Sequence, residues 1–190
     1  MYKYSLLIVF IFGFNLCSAQ EKDEVEERIK KSEVHPKAIA WLKDAYEKRR
    51  KVKWYYQTDG KEEAFEAKLK HKKHLHSVEF NTDGIVQNIE VLIKEKEMDR
   101  TVFGIITDYM NTTYNKFSFS KIQIQYTGSE DDLEDVIDEN EFEEISISYE
   151  IEYYGKTDTQ NELWEGLFDQ DGKLIVKRIV KIKNTDNLDY

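Results

Sequence analysis

The sequence is poor in the residues that build covalent and metal-dependent scaffolds. Its 190 residues include one cysteine, Cys17, and one proline, Pro36. A single cysteine cannot form an intrachain disulfide, and it excludes zinc sites rich in cysteine. The sequence also lacks a Gly-rich phosphate loop, a His-Glu-x-x-His motif and a Gly-x-Ser-x-Gly motif. We therefore predict a protein that is not an enzyme and that carries no cofactor.

Positive charge is scarce relative to negative charge. Lys and Arg number 28 against 38 Asp and Glu, which gives a net charge of −10. A general nucleic-acid binder needs clustered basic residues to contact phosphates, so this class is excluded. Aromatic residues, at 13% of the chain, are too many for a wholly disordered protein. The composition therefore indicates a folded, acidic, globular protein.

The N-terminus has an apolar run that is too short to be a membrane span. Ser5 to Leu16 is apolar, Lys3 precedes it, and Cys17-Ser18-Ala19 follows. This order is typical of a cleavable signal peptide over residues 1–19. An uncleaved anchor would need about 20 apolar residues, and the bulky residues before Cys17 disfavour lipid attachment there. We predict an exported protein, periplasmic or secreted, with no stable membrane span after cleavage.

The two ends of the predicted mature chain carry weak structural signals. Residues 20–33 are dense in charge, and only Val25 and Ile29 are apolar at helical spacing. We interpret this stretch as a charged lead-in, helical or disordered. Residues 184–190 are predicted to be a C-terminal tail.

Residues 34–97 are predicted to form a first unit of one helix and four strands. Pro36 suits the first position of a helix, and apolar residues follow it at helical spacing. Alternating patterns and turn signals then predict strands over Lys53–Thr58, Glu63–Lys70, His74–Phe80 and Ile85–Ile93.

Residues 98–183 repeat this order. Asp99 or Thr101 can cap a second helix, and strands follow, of which Ile145–Tyr154 alternates most cleanly. Phe80 to Gly84 and Phe168 to Gly172 share the pattern Phe-x-x-Asp-Gly, which predicts two turns with a positive φ at glycine. The fold class is therefore α+β: a tandem repeat of a helix followed by antiparallel strands, with the helices packed on one face of the sheets.

Several segments carry a resemblance to a known family. In the first unit they are Val34-His35-Pro36, Lys53-Trp54-Tyr55-Tyr56, Ser77 to Phe80 and Asp83-Gly84; in the second they are Lys121 to Tyr126, Tyr149-Glu150-Ile151 and Phe168 to Gly172. Residues 34–182 resemble the PepSY-like proteins of bacterial envelopes, also described as β-lactamase-inhibitor-like proteins. The resemblance implies tandem helix-plus-sheet repeats in a secreted or periplasmic protein. It does not imply that the protein inhibits any enzyme.

An acidic segment distinguishes the second unit from the first. Glu130 to Glu144 contains ten carboxylates and neither Lys nor Arg. We predict a solvated, mobile loop over residues 128–144, because like charges in a run repel each other. A docking arm for a basic partner and a weak calcium site are the alternatives, although the order of residues in a calcium loop is missing.

Histidine offers the best candidate for a metal site, and it is a weak one. His71, His74 and His76 are close in sequence, but Lys70, Lys72 and Lys73 surround them and no acidic residue lies among them. We predict no metal site here.

Aromatic residues provide the predicted partner-binding site. Trp54 and Tyr55 are adjacent on a strand, so their rings lie on opposite faces of the sheet. Tyr154 and Trp164 fall out of phase with the apolar residues of their strands. We predict that these four residues, on an open antiparallel sheet, bind an envelope or secreted protein or peptide. The alternative is a small-ligand or metal-sensing periplasmic protein.

Overall fold

The computed structural model describes residues 20–47 and 51–181, so the predicted signal peptide and the C-terminal tail lie outside the described residues. The described residues form three α-helices: α1 Pro36–Ala45, α2 Arg100–Thr113 and α3 Glu130–Asp138. The strands are β1 Gln20–Lys22, β2 Glu24–Ile29, β3 Val52–Asp59, β4 Glu62–His71, β5 His74–Asn81, β6 Val86–Leu92, β7 Lys116–Thr127, β8 Ser146–Lys156, β9 Asn161–Asp169 and β10 Leu174–Val180. Short 3-10 helices, Lys31–Glu33 and Glu95–Glu97, precede α1 and α2. The protein is therefore of the α+β class.

All ten strands belong to one sheet that rolls until its two ends are joined. Strands β2 to β10 pair with their neighbours in chain order and antiparallel, whereas β1 pairs parallel to β10. Only Asp23 separates β1 from β2, so a single stretch, Gln20–Ile29, pairs with β10 at one end of the sheet and with β3 at the other. We call this stretch the closing segment. Arg178 of β10 also reaches Asp59 of β3, with 2.8 Å between Nη1 and Oδ2.

The closing segment corrects the prediction of a helical or disordered lead-in. Its charged residues pair through their backbones with two different strands. Lys22 lies opposite Val180 of β10, and Glu24 lies opposite Asp59 of β3. The helical spacing of Val25 and Ile29 is outweighed by this pairing with strands distant in sequence. Tertiary context of this kind routinely overrides local propensity.

Helices α1 and α2 cover the outer face of the rolled sheet. The N-cap of α1 is His35, whose Nδ1 accepts from Lys37 N at 3.3 Å, and Pro36 takes the first position as predicted. Trp41 of α1 packs edge-on against Phe80, with ring centroids 5.7 Å apart.

The cap of α2 settles a choice that the sequence left open. Asp99, rather than Thr101, accepts from the backbone N–H groups of Thr101 and Val102 at 2.8 and 3.1 Å. Tyr109 of α2 packs against Phe168, with ring centroids 5.8 Å apart. The apolar core therefore lies between the helices and the outer face.

The acidic segment is not the loop that the sequence predicted, because its first part forms α3. Ser129 Oγ accepts from Asp132 N at 3.2 Å, and the Asp132 carboxylate accepts from Ser129 N, which makes a capping box. Carboxylates in the first turn also interact favourably with the positive end of the helix dipole. Three apolar side chains of α3 are buried: Leu133, Val136 and Ile137. These local and packing terms outweigh the repulsion between like charges.

The two Phe-x-x-Asp-Gly turns have the same geometry. Asn81 Oδ1 accepts from Asp83 N and Ile85 N, and Asp169 Oδ1 accepts from Asp171 N and Lys173 N, all at 2.9 to 3.0 Å. Gly84 and Gly172 have φ of +79° and +81°, which confirms the predicted positive φ. The internal duplication itself remains a prediction. None of the described helices is long and apolar enough to cross a membrane.

Candidate binding site on the inner face of the sheet

The inner face of the rolled sheet is polar, because side chains alternate along each strand. On β8, Tyr149, Ile151 and Tyr153 point to the helices, so Ser148 and Glu150 point inward. Nine carboxylates and four cations of the inner face are linked by ion pairs, hydrogen bonds or close electrostatic interactions, and we call them the inner charge cluster: Glu24, Glu26, Asp59, Glu66, Glu79, Glu90, Glu150, Glu152 and Glu165, with Lys22, Lys68, Lys121 and Arg178.

One part of this cluster is paired, and it lies where the closing segment meets β10. Lys22 forms ion pairs with Glu165 and, at 2.6 Å, with Glu24. Arg178 donates to Glu165 at 2.9 Å and to Asp59 at 2.8 Å. The pKa of Lys22 is raised, because the surrounding carboxylates outweigh the effect of burial, which by itself would lower it. Since Glu165 lies on β9, these pairs tie β9 to both β1 and β10, and they tie β10 to β3.

A second paired group ties β2 to β4. Lys68 donates to both carboxylate oxygens of Glu26, at 2.7 and 2.8 Å, and lies 3.2 Å from Glu66 Oε2. Ser77 donates to the other oxygen of Glu66. The Lys68 ammonium also lies 5.1 Å from the centre of the Tyr55 ring. Tyr55, one of the predicted binding residues, is therefore part of this inner network.

Three further carboxylates lack an ion pair within the described residues. Glu79 accepts from Asn88 Nδ2 at 2.7 Å, and Glu90 accepts from the amides of Gln123 and Gln125 at 2.9 and 3.2 Å. Glu150 accepts no hydrogen bond from any side chain that the structure describes. Amide donors are uncharged, so these carboxylates are not neutralised by direct partners.

Burial raises the pKa of all three carboxyl groups. The pKa of Glu79 and of Glu90 is about 7, and that of Glu150 is about 8. For Glu90 and Glu150 the next cause is another carboxylate: Glu79 acts on Glu90, and Glu90 acts on Glu150. Lys121 opposes the shift of both groups without cancelling it. Strongly perturbed carboxyl groups in a concave site are typical of functional sites.

Several amide oxygens beside these carboxylates also lack donors. Gln123 is only 4% exposed, and its Nε2 contacts Glu90, yet its Oε1 has no hydrogen-bond partner among the described residues. Asn88 Oδ1 and Gln57 Oε1 are likewise buried without a partner in this part of the chain. A buried acceptor without a donor is costly. The inner face therefore has more buried carboxyl groups and amide acceptors than its described donors satisfy.

An open groove of about 810 Å³ lies at one end of the rolled sheet. The start of β5, the end of β6, the middle of β7 and the 3-10 helix Glu95–Glu97 form it. Leu75, Leu92 and Phe119 supply apolar surface. Four lysines line the same groove, and one of them belongs to the inner charge cluster: Lys73, Lys94, Lys96 and Lys121. Leu75 is 48% exposed. The groove is therefore mixed in character, and it shares only Lys121 with the inner charge cluster.

The structure separates the four aromatic residues predicted to bind a partner. Trp54 and Trp164 are 5% and 3% exposed and lie in the apolar core, so they cannot line an open surface. Both follow the apolar alternation of neighbouring strands: Trp54 packs on Phe80, and Trp164 lies opposite Tyr153. Tyr154 is 48% exposed. The accessibility that the prediction assumed is therefore present at Tyr154 alone, while partner binding itself remains a prediction.

The histidines belong mainly to the core under α1. Tyr46 OH lies 3.0 Å from His76 Nδ1, and the rings of His71 and His76 are 5.3 Å apart. Burial, and then the charges of His71, His74 and Lys72, lower the pKa of His76 to about 3. His74 points elsewhere, to Glu97 at 3.2 Å. In residues 20–47 and 51–181, no group of three or more His, Cys, Asp or Glu side chains has the arrangement of a metal site.

The inner charge cluster was not predicted from the sequence. The signal was present: Ser148 and Glu150 on β8 and Gln123 and Gln125 on β7 occupy one face of their strands. An antiparallel sheet with one polar face usually turns that face to bulk water. What turns it inward here is the closing segment, whose pairing the sequence pattern did not indicate.

Comparisons with known proteins give a fold and no family. No protein-family model matches the chain, and no curated protein matches it either. Among solved structures, it is similar to a DUF2874 family protein from Bacteroides ovatus, with 16% identity, a TM-score of 0.55 and coverage of 77% of this chain and 87% of that one. A protein from Bacteroides eggerthii described as periplasmic has 14% identity and a TM-score of 0.51, with coverage of 81% and 93%.

A BLIP-like protein from Bacteroides fragilis is similar to the same degree. It shares 14% identity and a TM-score of 0.50, and the match covers 83% of this chain and 92% of that one. The chain therefore has a BLIP-like fold. At these identities the likeness extends to the fold alone.

Proposed function

We propose that this protein is an exported, non-enzymatic binding protein whose ligand site is the inner face of the rolled sheet. The observation that carries the proposal is the set of Glu79, Glu90 and Glu150, which are enclosed by protein but form no direct ion pair with any described residue, although Lys22 and Lys121 lie near Glu90 and Glu150. A fold selected for stability alone would replace or pair such groups, because buried unpaired charge is costly. Of the two functions that the sequence predicts, the small-ligand protein thus receives the stronger support.

The periplasmic or secreted location rests on two observations. The N-terminal residues 1–19 have the pattern of a signal peptide, and one solved structure with this fold is described as periplasmic. We also propose a PepSY-like tandem duplication of a helix followed by antiparallel strands. It is supported by helices α1 and α2, each followed by four strands, and by the matching turns at Asn81 and Asp169.

A protein or peptide partner is the second candidate, and the BLIP-like neighbour favours it. The antiparallel sheet would then present an accessible part to an envelope protein. Tyr154 is the one predicted contact with substantial exposure. Replacing Tyr154 with alanine would weaken such a complex.

The inner-face proposal can be tested by blocking the groove. Leu75→Cys places a thiol in the groove, and a bulky maleimide attached there should obstruct access to the inner face. Ile175→Cys is the matched control, because Ile175 is 60% exposed and lies on β10, away from the groove. The full chain, expressed with its own N-terminus, is labelled before exposure to an extract of small molecules and then analysed by native mass spectrometry.

We expect the control to retain a small molecule that the blocked variant does not retain. Equal retention by both labelled proteins, or no retention by either, would contradict the proposal. Circular dichroism of both variants confirms that each is folded.

A further inference from the structure

The rolled sheet has a gap where β6 is shorter than its neighbour β7. The pairing of β6 with β7 ends at Leu92, and just beyond it Ile93 N still donates to Ile122 O at 3.0 Å. The preceding part of β7, Lys116–Lys121, pairs with β8 on one side and with no described strand on the other. This part of β7 is therefore an open sheet edge, and we call it the β7 edge.

The groove lies beside the β7 edge. Phe119, Ser120 and Lys121 of the edge contribute to its lining, as does the 3-10 helix Glu95–Glu97. This helix is held towards β5, because Glu97 lies 3.2 Å from His74. The groove has a volume of about 810 Å³, which is in the range of ordinary ligand sites. There is thus room for a ligand along the open side of β7.

An open edge of this kind can accept one more strand. Its backbone N–H and C=O groups are free to pair with another chain. Extended peptides bind to sheet edges in this way, with main-chain hydrogen bonds for affinity and alternate side chains for specificity. The register of β7 shifts between Phe119 and Lys121, so Ser120 forms a bulge that bends the edge. The bend suits a short segment better than the long, flat edge of a second copy.

The lining of the groove is positive, although the whole chain has a net charge of −10. The four lysines that line it are called the groove lysines: Lys73, Lys94, Lys96 and Lys121. The first three form no ion pair with any described residue. Of the two glutamates in the lining, Glu97 is engaged by His74 and accepts from Lys94 N at 2.9 Å. Carboxylates of a ligand would complement the groove lysines.

Apolar side chains supply the rest of the contact surface. Leu75 is 48% exposed, and Leu92 and Phe119 also line the groove. A ligand made of charged groups alone would leave this surface exposed to water. Side chains alternate along an extended chain, so a segment that carries both acidic and apolar residues can meet the groove lysines and the apolar surface together.

We infer that the groove binds an extended acidic peptide, which pairs with the β7 edge as an added strand and presents carboxylates to the groove lysines. Apolar residues of the peptide pack on Leu75, Leu92 and Phe119. This inference goes beyond the inner-face ligand, because the groove shares only Lys121 with the inner charge cluster. It gives the second candidate function, a peptide partner, a defined site and chemistry.

The test is fluorescence anisotropy on the full chain with defined peptides. The probe is a labelled, terminally blocked hexapeptide in which glutamate and valine alternate. One comparison peptide has lysine in place of glutamate, and the other is the probe with every backbone nitrogen methylated, which removes its N–H donors. We expect the probe to bind and both comparison peptides to bind at least about tenfold more weakly.

Four results would overturn the inference. Equal binding of the methylated peptide would exclude strand addition, and equal binding of the basic peptide would exclude the charge assignment. Tighter binding of dodecanoate than of the probe would identify the groove as a site for an anionic amphiphile instead. Absence of probe binding would leave the groove lysines with the role of protecting the edge from unwanted pairing.

Variants locate the binding in the groove. The double variant Lys94→Gln with Lys96→Gln should weaken probe binding about three- to tenfold and reduce its salt dependence. The matched control is Lys61→Gln with Lys173→Gln, because both lysines are exposed and lie in turns between strands, away from the groove. Equal weakening by the control would show general attraction of the acidic probe to lysine and would overturn the site.

Amide hydrogen exchange separates strand addition from attraction between side chains alone. Saturating probe should slow the exchange of backbone amides in the β7 edge at least about tenfold. The exposed segment 139–144 should be unaffected and serves as the internal reference. Unchanged exchange in the β7 edge would overturn the added strand.

The labelled cysteine variants distinguish this inference from the proposed function. A bulky maleimide at Leu75→Cys should prevent probe binding, and the same label at Ile175→Cys should leave it intact. Probe binding that persists in labelled Leu75→Cys would overturn the groove as the peptide site. Absence of probe binding, together with a small molecule retained by labelled Ile175→Cys alone, would overturn the peptide and leave the inner-face site intact.

Discussion

The two faces of the rolled sheet are built on opposite principles, although the same strands form both. The outer face is apolar, fully packed under three helices and without charged groups near its centre. The inner face holds nine carboxylates and four cations, and several of its acceptors have no donor. The outer face therefore contributes most of the stability of the fold, whereas the unsatisfied groups of the inner face lower it. Functional sites usually carry such a cost, and the scaffold around them offsets it.

The largest effect is expected from a cavity under the helices. Phe80 is fully buried and packs against both Trp41 and Trp54, so Phe80→Ala should lower the free energy of unfolding by about 3–5 kcal/mol. Urea denaturation measures this change. Phe142→Ala is the control, because Phe142 is 40% exposed, and it should cost less than about 1 kcal/mol. Similar losses in the two variants would refute the assignment of the core to the outer face.

The next effect concerns the paired part of the inner face. Glu165 is 4% exposed and accepts from both Lys22 and Arg178. Glu165→Gln leaves two cations with fewer partners and should lower the free energy of unfolding by about 2 kcal/mol. Glu152→Gln removes only the long, more exposed contact with Lys121, at 3.6 Å, and should change it by less than about 1 kcal/mol. An equal effect of both substitutions would argue against a structural role for the pairs at the closing segment.

A Glu→Gln substitution should raise the free energy of unfolding, rather than lower it, at Glu150, which forms no ion pair with any described residue. Glu150 has a pKa of about 8, so it is protonated in the folded protein at pH values where the unfolded chain has already lost the proton. Its contribution to stability is complete below its ordinary pKa of 4.5 and is lost as the pH rises through 8. Glu150→Gln should therefore stabilise the protein by about 1–2 kcal/mol at pH 8 and have little effect at pH 5.

Chemical denaturation between pH 5 and pH 8 tests whether Glu150→Gln raises the free energy of unfolding. The wild type should lose stability over this range, since Glu79 and Glu90, each with a pKa of about 7, add to the effect of Glu150. The Glu150→Gln variant should have a shallower slope. Destabilisation by Glu150→Gln at pH 8 would mean that this carboxylate has a partner and that the contrast within the inner face is wrong.

The smallest effect concerns the cap of α3. Ser129→Ala removes the side-chain oxygen that accepts from Asp132 N, and about 1 kcal/mol of stability should be lost. The backbone amide hydrogens of the acidic residues in α3 should then exchange faster than the backbone amide hydrogens of α1. Unchanged exchange over residues 130–138 would contradict the role of the capping box in holding this helix against its own charge.

Local chemistry made part of this fold predictable from the sequence. Pro36 and Asp99 mark helix starts because a missing N–H and a side-chain acceptor act within one turn. Gly84 and Gly172 mark turns because a positive φ is a property of one residue. The strands of β3 to β10 follow from alternation and from turns between neighbours.

The remainder depends on partners that are far apart in sequence. Lys22 pairs with Val180, and no local pattern at either position indicates the other. The prediction that Trp54 and Trp164 lie on an open face failed for a related reason: parity within a strand identifies two faces but does not say which one the helices cover. The alternation along β7 and β8 identifies Gln123 and Glu150 as polar positions. Their enclosure follows only from the closure of the sheet.

The closing segment also determines when the protein can finish folding. Its first residues pair with the last strand, at a separation of almost the whole described chain, and contacts of such high order form slowly. A ribosome or translocon that still holds β10 therefore prevents closure of the ring. If the chain is exported unfolded, as proposed above, this topology delays the native state until the last strand has been delivered.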